Sequence, residues 1–203
     1  MTKWLKAIDP QSMLALLRDK VSDRKLRLFA VACCRMIWHE MNEPSRQAVD
    51  ATERFADGVI TDEVREAAQR SAAMGLGRTT RSPASRAAHA CAGSKPLLAA
   101  IEVSNHAVGA GNLRPQREEQ WQLVRDIIGN PFRPVTLDPS WLTSTVTALA
   151  EGIYADRAFD RLPILADALQ DAGCENPDVL DHCRGPGPHV RGCFVVDLLT
   201  GRK

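Results

Sequence analysis

Apolar residues recur along this chain at helical spacing. Between Ser22 and Glu40, the residues Leu26, Phe29, Ala30, Cys33, Ile37 and Trp38 stand three and four positions apart, and Arg24, Lys25, Arg27, Arg35 and Glu40 fill most of the positions between. This lays an apolar stripe along a helix that Ser22 opens as its cap. The same period predicts helices over residues 10–19 (Met13, Leu14, Leu17), 96–108 (Leu97, Leu98, Ile101, Val108) and 115–128 (Trp121, Val124, Ile127, Ile128). It continues over 139–155 (Trp141, Leu142, Val146, Leu149, Ile153) and 163–172 (Ile164, Leu165, Ala168, Leu169). Residues 44–56 and 61–73 read as more polar helices at the periphery, with Val49, Phe55 and Val64 as their few large anchors. Short helices over 83–92, 177–183 and 188–200 complete the pattern.

Punctuation supports this division. Most of the prolines fall where a helix begins, a position that needs no backbone N–H, and Asp9, Ser82, Asp138 and Asn176 precede four of them as caps. Gly129, Gly173 and Gly201 each follow an apolar run as a stop. Residues 129–138 hold two prolines and read as an extended strap pinned by Phe132, Val135 and Leu137. Residues 74–94 are rich in Gly, Ala, Ser, Thr and Arg, with no large aliphatic side chain after Leu76, and the part before residue 83 reads as a mobile loop. No βαβ alternation, period-two run or fixed repeat is present. Residues 194–199 have strand-like composition, but the Pro188 start and Gly201 stop favour helix. The expectation is an all-α, single domain over residues 1–203: about ten short helices in helical hairpins, packed as a bundle or short solenoid.

Composition changes this picture little. A chain of 203 residues with 44% apolar and 25% charged residues has the makings of an ordinary folded domain, and its net charge of +1 draws it neither to nucleic acid nor to an anionic membrane. No secretory signal and no membrane-spanning run is evident, so the expected location is the cytoplasm, where six cysteines are reduced thiols or metal ligands rather than disulfides. Charge is uneven along the chain. Arg78, Arg81, Arg86, Lys95 and Arg114 face only Glu102 between residues 75 and 115, whereas nine acidic residues meet only Arg157 and Arg161 between 138 and 181. The basic group is a candidate patch for a polyanion or an acidic partner, set against the plainer alternative of solvated helix faces.

Candidate chemistry is concentrated near the C-terminus. Cys174, His182, Cys183, His189 and Cys193 fall within thirty residues, around the turn Gly185-Pro186-Gly187-Pro188. Their types suit zinc, and a helix would place His189 and Cys193 on one face. Against this, no C-x₂-C pair is present, and adjacent His182 and Cys183 are poorly placed to reach one ion. The plainer alternative makes Cys174 and Cys193 small core residues and His189 a turn cap. Cys33 and Cys34 belong to the apolar stripe and its edge. No nucleophile elbow, phosphate loop or H-E-x-x-H occurs, and His89 and Cys91 point apart on a helix, so the reading leans away from an enzyme.

Several stretches resemble a paralogous family of planctomycete bacterial proteins with no established function. They are Ser22-Asp-Arg-Lys-Leu-Arg-Leu-Phe-Ala-Val-Ala-Cys-Cys-Arg with Ile37-Trp-His, then Gly129-Asn-Pro-Phe-Arg-Pro-Val-Thr-Leu-Asp-Pro, then Phe159-Asp-Arg-Leu-Pro-Ile-Leu-Ala-Asp-Ala-Leu-Gln-Asp-Ala-Gly-Cys and Gly185-Pro-Gly-Pro-His-Val-Arg-Gly-Cys. The resemblance covers both ends of the chain and is weakest between residues 75 and 114. It implies a bacterial cytoplasmic origin and no mechanism. The sequence is compatible with three functions: a non-enzymatic module that binds an unknown protein partner and needs no cofactor, a small zinc protein using the C-terminal Cys/His cluster, and a nucleic-acid-associated factor using the central arginines.

Overall fold

The computed structural model of the chain describes residues 4, 6–17, 20–74, 82–109 and 113–202, with the side chains of 113–115 excepted. These residues form eleven α-helices joined by turns and short 3-10 segments, with no strand among them, so the all-α expectation holds. No helix among the described residues is long and apolar enough to cross a membrane. The chain divides into two compact units, residues 2–124 and 125–203, where the sequence reading had a single domain. The physical reason is visible in the second unit, whose buried residues from Trp141 to Leu199 pack among themselves.

The N-terminal unit holds α1 (Pro10–Leu16), α2 (Asp23–Met36), α3 (Glu43–Ala56), α4 (Asp62–Met74), α5 (Pro83–Cys91), α6 (Pro96–Gly109) and most of α7 (Leu113–Ile128). Asp9, Ser22, Asn42 and Ser82 cap their helices through side-chain oxygens that accept backbone N–H groups three residues on. α2 is its central rod. Every residue from Leu26 to Cys34 is buried, not only the predicted stripe, because α3, α5 and α6 enclose the helix. Arg27 is tolerated there because its guanidinium donates to the Gly93 and Ser94 carbonyls and lies over Phe55 at 5.0 Å.

The faces that α5 and α6 turn inward are made of small residues. Ala84, Ala87, Ala88 and Cys91 lie buried on α5, and Ala99, Ala100, Val103 and Ala107 on α6. Helices with such faces approach closely and pack well without large side chains. This overturns one detail of the sequence reading: Leu98 and Val64 are half exposed rather than anchoring. The short helix expected over 83–92 is present and packed, despite its lack of large aliphatic side chains. Residues 75–81, where the mobile loop was expected, lie outside the described residues. Cys33, Cys34 and Cys91 are fully buried, and burial pushes the thiols of Cys33 and Cys34 well above their ordinary pKa, consistent with packing.

The C-terminal unit begins within the last turn of α7. It continues through the non-helical segment 129–138, α8 (Ser144–Asp156), α9 (Leu162–Asp171), α10 (Pro177–Arg184), the irregular residues 185–193 and α11 (Phe194–Thr200). Residues 129–138 hold no helix. They make a turn in which the Arg133 N–H returns to the Asn130 carbonyl, and beyond it Val135 and Leu137 pack on the core, whereas Phe132, expected as a third pin, is exposed. Helix 139–155 of the sequence reading is two elements. Asp138 caps only a 3-10 turn through Trp141, and Thr143 opens α8 by accepting from Val146. Helix 188–200 shortens to α11, because the left-handed backbones of Gly187 and Gly192 hold the intervening residues out of helix.

Candidate metal centre

Four side chains from separate elements of the C-terminal unit converge: Asp126, His182, His189 and Cys193. One ligand atom from each lies within 4.8 Å of all the others. Asp126 comes from the last turn of α7, on the side already buried through Leu123 and Ile127. Gly129 ends that helix with φ +67°, and its N–H returns to the Arg125 carbonyl at 2.9 Å. A Cβ at Gly129 would lie 3.0–3.2 Å from the Phe194 ring. Gly129→Ala is therefore expected to lower unfolding stability by about 1–2 kcal/mol, measured by urea titration, from left-handed strain and the crowded ring.

α10 supplies His182. Asn176 caps this helix, Pro177 sits at its start, and Val179 and Cys183 enter the core. Adjacent helical residues point about 100° apart, so with Cys183 directed into the core, His182 is turned toward Asp126. Residues 185–193 carry His189, and Gly187 leaves room where a Cβ would meet the His189 backbone nitrogen at 2.9 Å. Cys193 occupies the cap position of α11, its carbonyl accepting the Asp197 N–H at 3.0 Å.

Asp126 is the hub. Its Oδ1 lies 2.8 Å from His189 Nδ1 and 3.1 Å from His182 Nε2, and its Oδ2 accepts the Val190 N–H at 3.0 Å. His182 Nε2 also lies 3.2 Å from Cys193 Sγ, and His189 Nε2 lies 3.2 Å from the Gly185 carbonyl. The two imidazoles meet edge to face with centroids 4.8 Å apart, and Phe194 packs on His182 at 4.5 Å. Asp126 is 2% and Cys193 0% exposed, so the centre is closed off from solvent on those sides.

Burial sets the electrostatics. It opposes ionisation of Asp126, yet the hydrogen bonds and charge of His182 and His189 outweigh it and hold the carboxyl below its ordinary pKa. For His189, burial again opposes charging, and Asp126 overcomes it to leave the imidazole above its ordinary value. Burial, then the Asp126 charge, drives the Cys193 thiol well above the usual range, and the same two causes push Cys183 up to about 12.

His189 carries an informative constraint. Both of its nitrogens face oxygens that only accept, the Asp126 carboxylate and the Gly185 carbonyl. A neutral imidazole has one N–H, so the metal-free ring satisfies both contacts only as imidazolium. A cation at the centre of the cluster meets the same demand differently. Nδ1 then gives its lone pair to the ion while Nε2–H stays on Gly185, the outer hydrogen bond typical of a ligating histidine.

A cysteine nucleophile fits this arrangement poorly. In a Cys–His–Asp relay the carboxylate orients the histidine through the nitrogen that does not face the thiol. Here Asp126 and Cys193 approach the same nitrogen of His182, and the thiol is buried with a raised pKa. The donor set is better matched to zinc. Bonds of roughly 2.0–2.3 Å make tetrahedral edges of roughly 3.3–3.7 Å, close to the contacts already present.

The structure thus gathers His182, His189 and Cys193 from the sequence-derived set and adds Asp126. Cys174 and Cys183 lie instead in the hydrophobic core. His189 and Cys193 meet across an irregular turn, not on the predicted helix face. Asp126 escaped the sequence reading because it stands 63 positions before His189, although its place one turn after Leu123 marked an acid on a buried face. Of the basic patch, Arg86 and Lys95 are exposed, while Arg78, Arg81 and the side chain of Arg114 lie outside the described residues. Comparisons with protein-family models, curated proteins and solved structures found no match to this chain.

Proposed function

We propose that this protein binds one zinc ion through Asp126, His182 Nε2, His189 Nδ1 and Cys193 Sγ, and that the ion serves as a structural clamp. The convergence of these four ligand atoms within 4.8 Å, at a buried place, carries the reading. Four protein ligands leave no open position for substrate, which is the pattern of structural rather than catalytic zinc. Charge supports it as well: a divalent cation with one carboxylate and one thiolate is neutral, as a buried centre requires. The clamp joins the end of α7 to α10, the 185–193 turn and α11, elements that are short and individually weak.

Elemental analysis of protein purified without a metal-binding tag tests this. About one zinc per chain is expected, retained in Cys174→Ala, whose sulfur sits in the core, and lost in Cys193→Ser and Asp126→Asn. Protein that takes up no zinc after refolding with it, or that keeps it in both of those variants, would overturn the proposal.

A further inference from the structure

A second feature of the C-terminal unit is independent of the four ligands. The strap and the start of α10 form the walls of an open cleft of about 750 Å³. Within the strap, Val135 and Leu137 pack inward while Thr136 and Asp138 face out, the alternation of a β-strand. The strap nevertheless has no strand beside it among the described residues. The backbone N–H and C=O groups of Val135, Thr136 and Leu137 form no hydrogen bond with any described residue. Extended backbone with open donors and acceptors beside a cleft is a template for an added strand.

The walls indicate what kind of chain would be added. Trp141 and Pro177 give apolar surface. Arg133 is paired with Asp178, and Asp138 accepts from the Ser140 N–H and Oγ through Oδ1, which leaves Glu175 and the negative charge of Asp138 with no basic partner among the described residues. The surrounding sequence is acidic too, with nine carboxylates against two arginines between residues 138 and 181. A polyanion is repelled by such a rim, and a second copy of the strap would bring two acidic rims together.

We infer that the cleft between the 133–141 strap and the start of α10 docks an extended, basic peptide segment of a partner protein by strand addition. The strap supplies main-chain hydrogen bonds, alternate apolar side chains of the peptide rest against Trp141 and Pro177, and its lysine or arginine residues face Asp138 and Glu175.

The probe is a short, acetylated, fluorescein-labelled peptide of alternating lysine and valine, titrated against the full-length chain by fluorescence anisotropy. Zinc-loaded and chelator-treated samples are both measured, so that failure of the metal reading stays separate. Saturable binding is expected, with N-methylation of alternate peptide residues abolishing it in one register. Glu175→Arg, an exposed change checked by circular dichroism, is expected to weaken binding about fivefold. No saturable binding, equal binding of a glutamate–valine peptide, or indifference to N-methylation in both registers overturns the inference. So does a dimer in sedimentation that Thr136→Pro dissolves, which assigns the open edge to a second copy.

Discussion

Asp126→Ala is expected to cost about 3–5 kcal/mol of unfolding stability in the metal-free protein and to abolish zinc binding. The first figure is that for removing one partner of a buried ion pair. The carboxylate serves His189, His182 and the Val190 N–H together, so its loss takes the acceptor from two imidazoles and a backbone donor at once, and burial then opposes charging of His189 with nothing to offset it. Against a total stability of about 5–15 kcal/mol for a typical protein, this brings the chain near unfolding at moderate temperature. Urea titrations of the wild type, Asp126→Ala and Asp126→Asn, each with and without zinc, provide the measurement. Asparagine keeps the shape and can still accept from Val190, so it is expected to cost less than alanine while still losing the metal. A change of under about 1 kcal/mol for alanine would mean that the three contacts are not cooperative and that Asp126 is not the hub of the cluster.

The second large effect is in pH. Zinc displaces one proton from Cys193, whose thiol is raised well above its ordinary value, and a second from His189 wherever that imidazole is charged. Affinity is therefore expected to climb about 100-fold per pH unit below the raised pKa of His189, and about 10-fold per unit above it. Competition with a chromophoric chelator at several pH values reads both slopes directly. A pH-independent affinity would exclude Cys193 thiolate as a ligand.

The metal-free protein has its own pH signature, with the sign set by the same pair. The pKa of His189 is raised on folding, so its contribution is fully present below the unfolded value of 6.5 and is lost as pH rises through the folded one. The pKa of Asp126 is lowered, so its contribution is present above the unfolded value of 3.8 and is lost as pH falls through the folded one. Stability from the cluster is thus greatest between these two unfolded values in chelated protein. Zinc shifts the maximum upward, because bound metal replaces the charged imidazole.

What the sequence determined by itself is local. Ser22, Asn176 and Gly129 mark helix ends through backbone hydrogen bonds that span only a few residues, and the structure uses each of them where the pattern put it. The prolines of the 129–138 segment likewise exclude helix wherever the segment comes to rest. Burial was less legible. Period alone marked one face of α2, whereas three neighbours bury every residue from Leu26 to Cys34, and in α5 and α6 alanine faces did the packing while Leu98 stayed outside. A hydrophobic pattern ranks residues by size and apolarity, but the distance between helix axes decides which of them is enclosed.

The site shows the same division more sharply. Histidine and cysteine near the C-terminus signalled metal chemistry by type, yet five candidates at similar spacing could not be sorted without the directions in which they point. Tertiary structure made the selection. It turned Cys183 into the core and His182 away from it, held residues 185–193 out of helix so that His189 and Cys193 meet, and brought Asp126 to them from the far end of α7. Caps and stops depend on neighbours in sequence and are written there. A ligand sphere depends on side-chain directions and on contacts closed over dozens of residues, and only the folded chain establishes those.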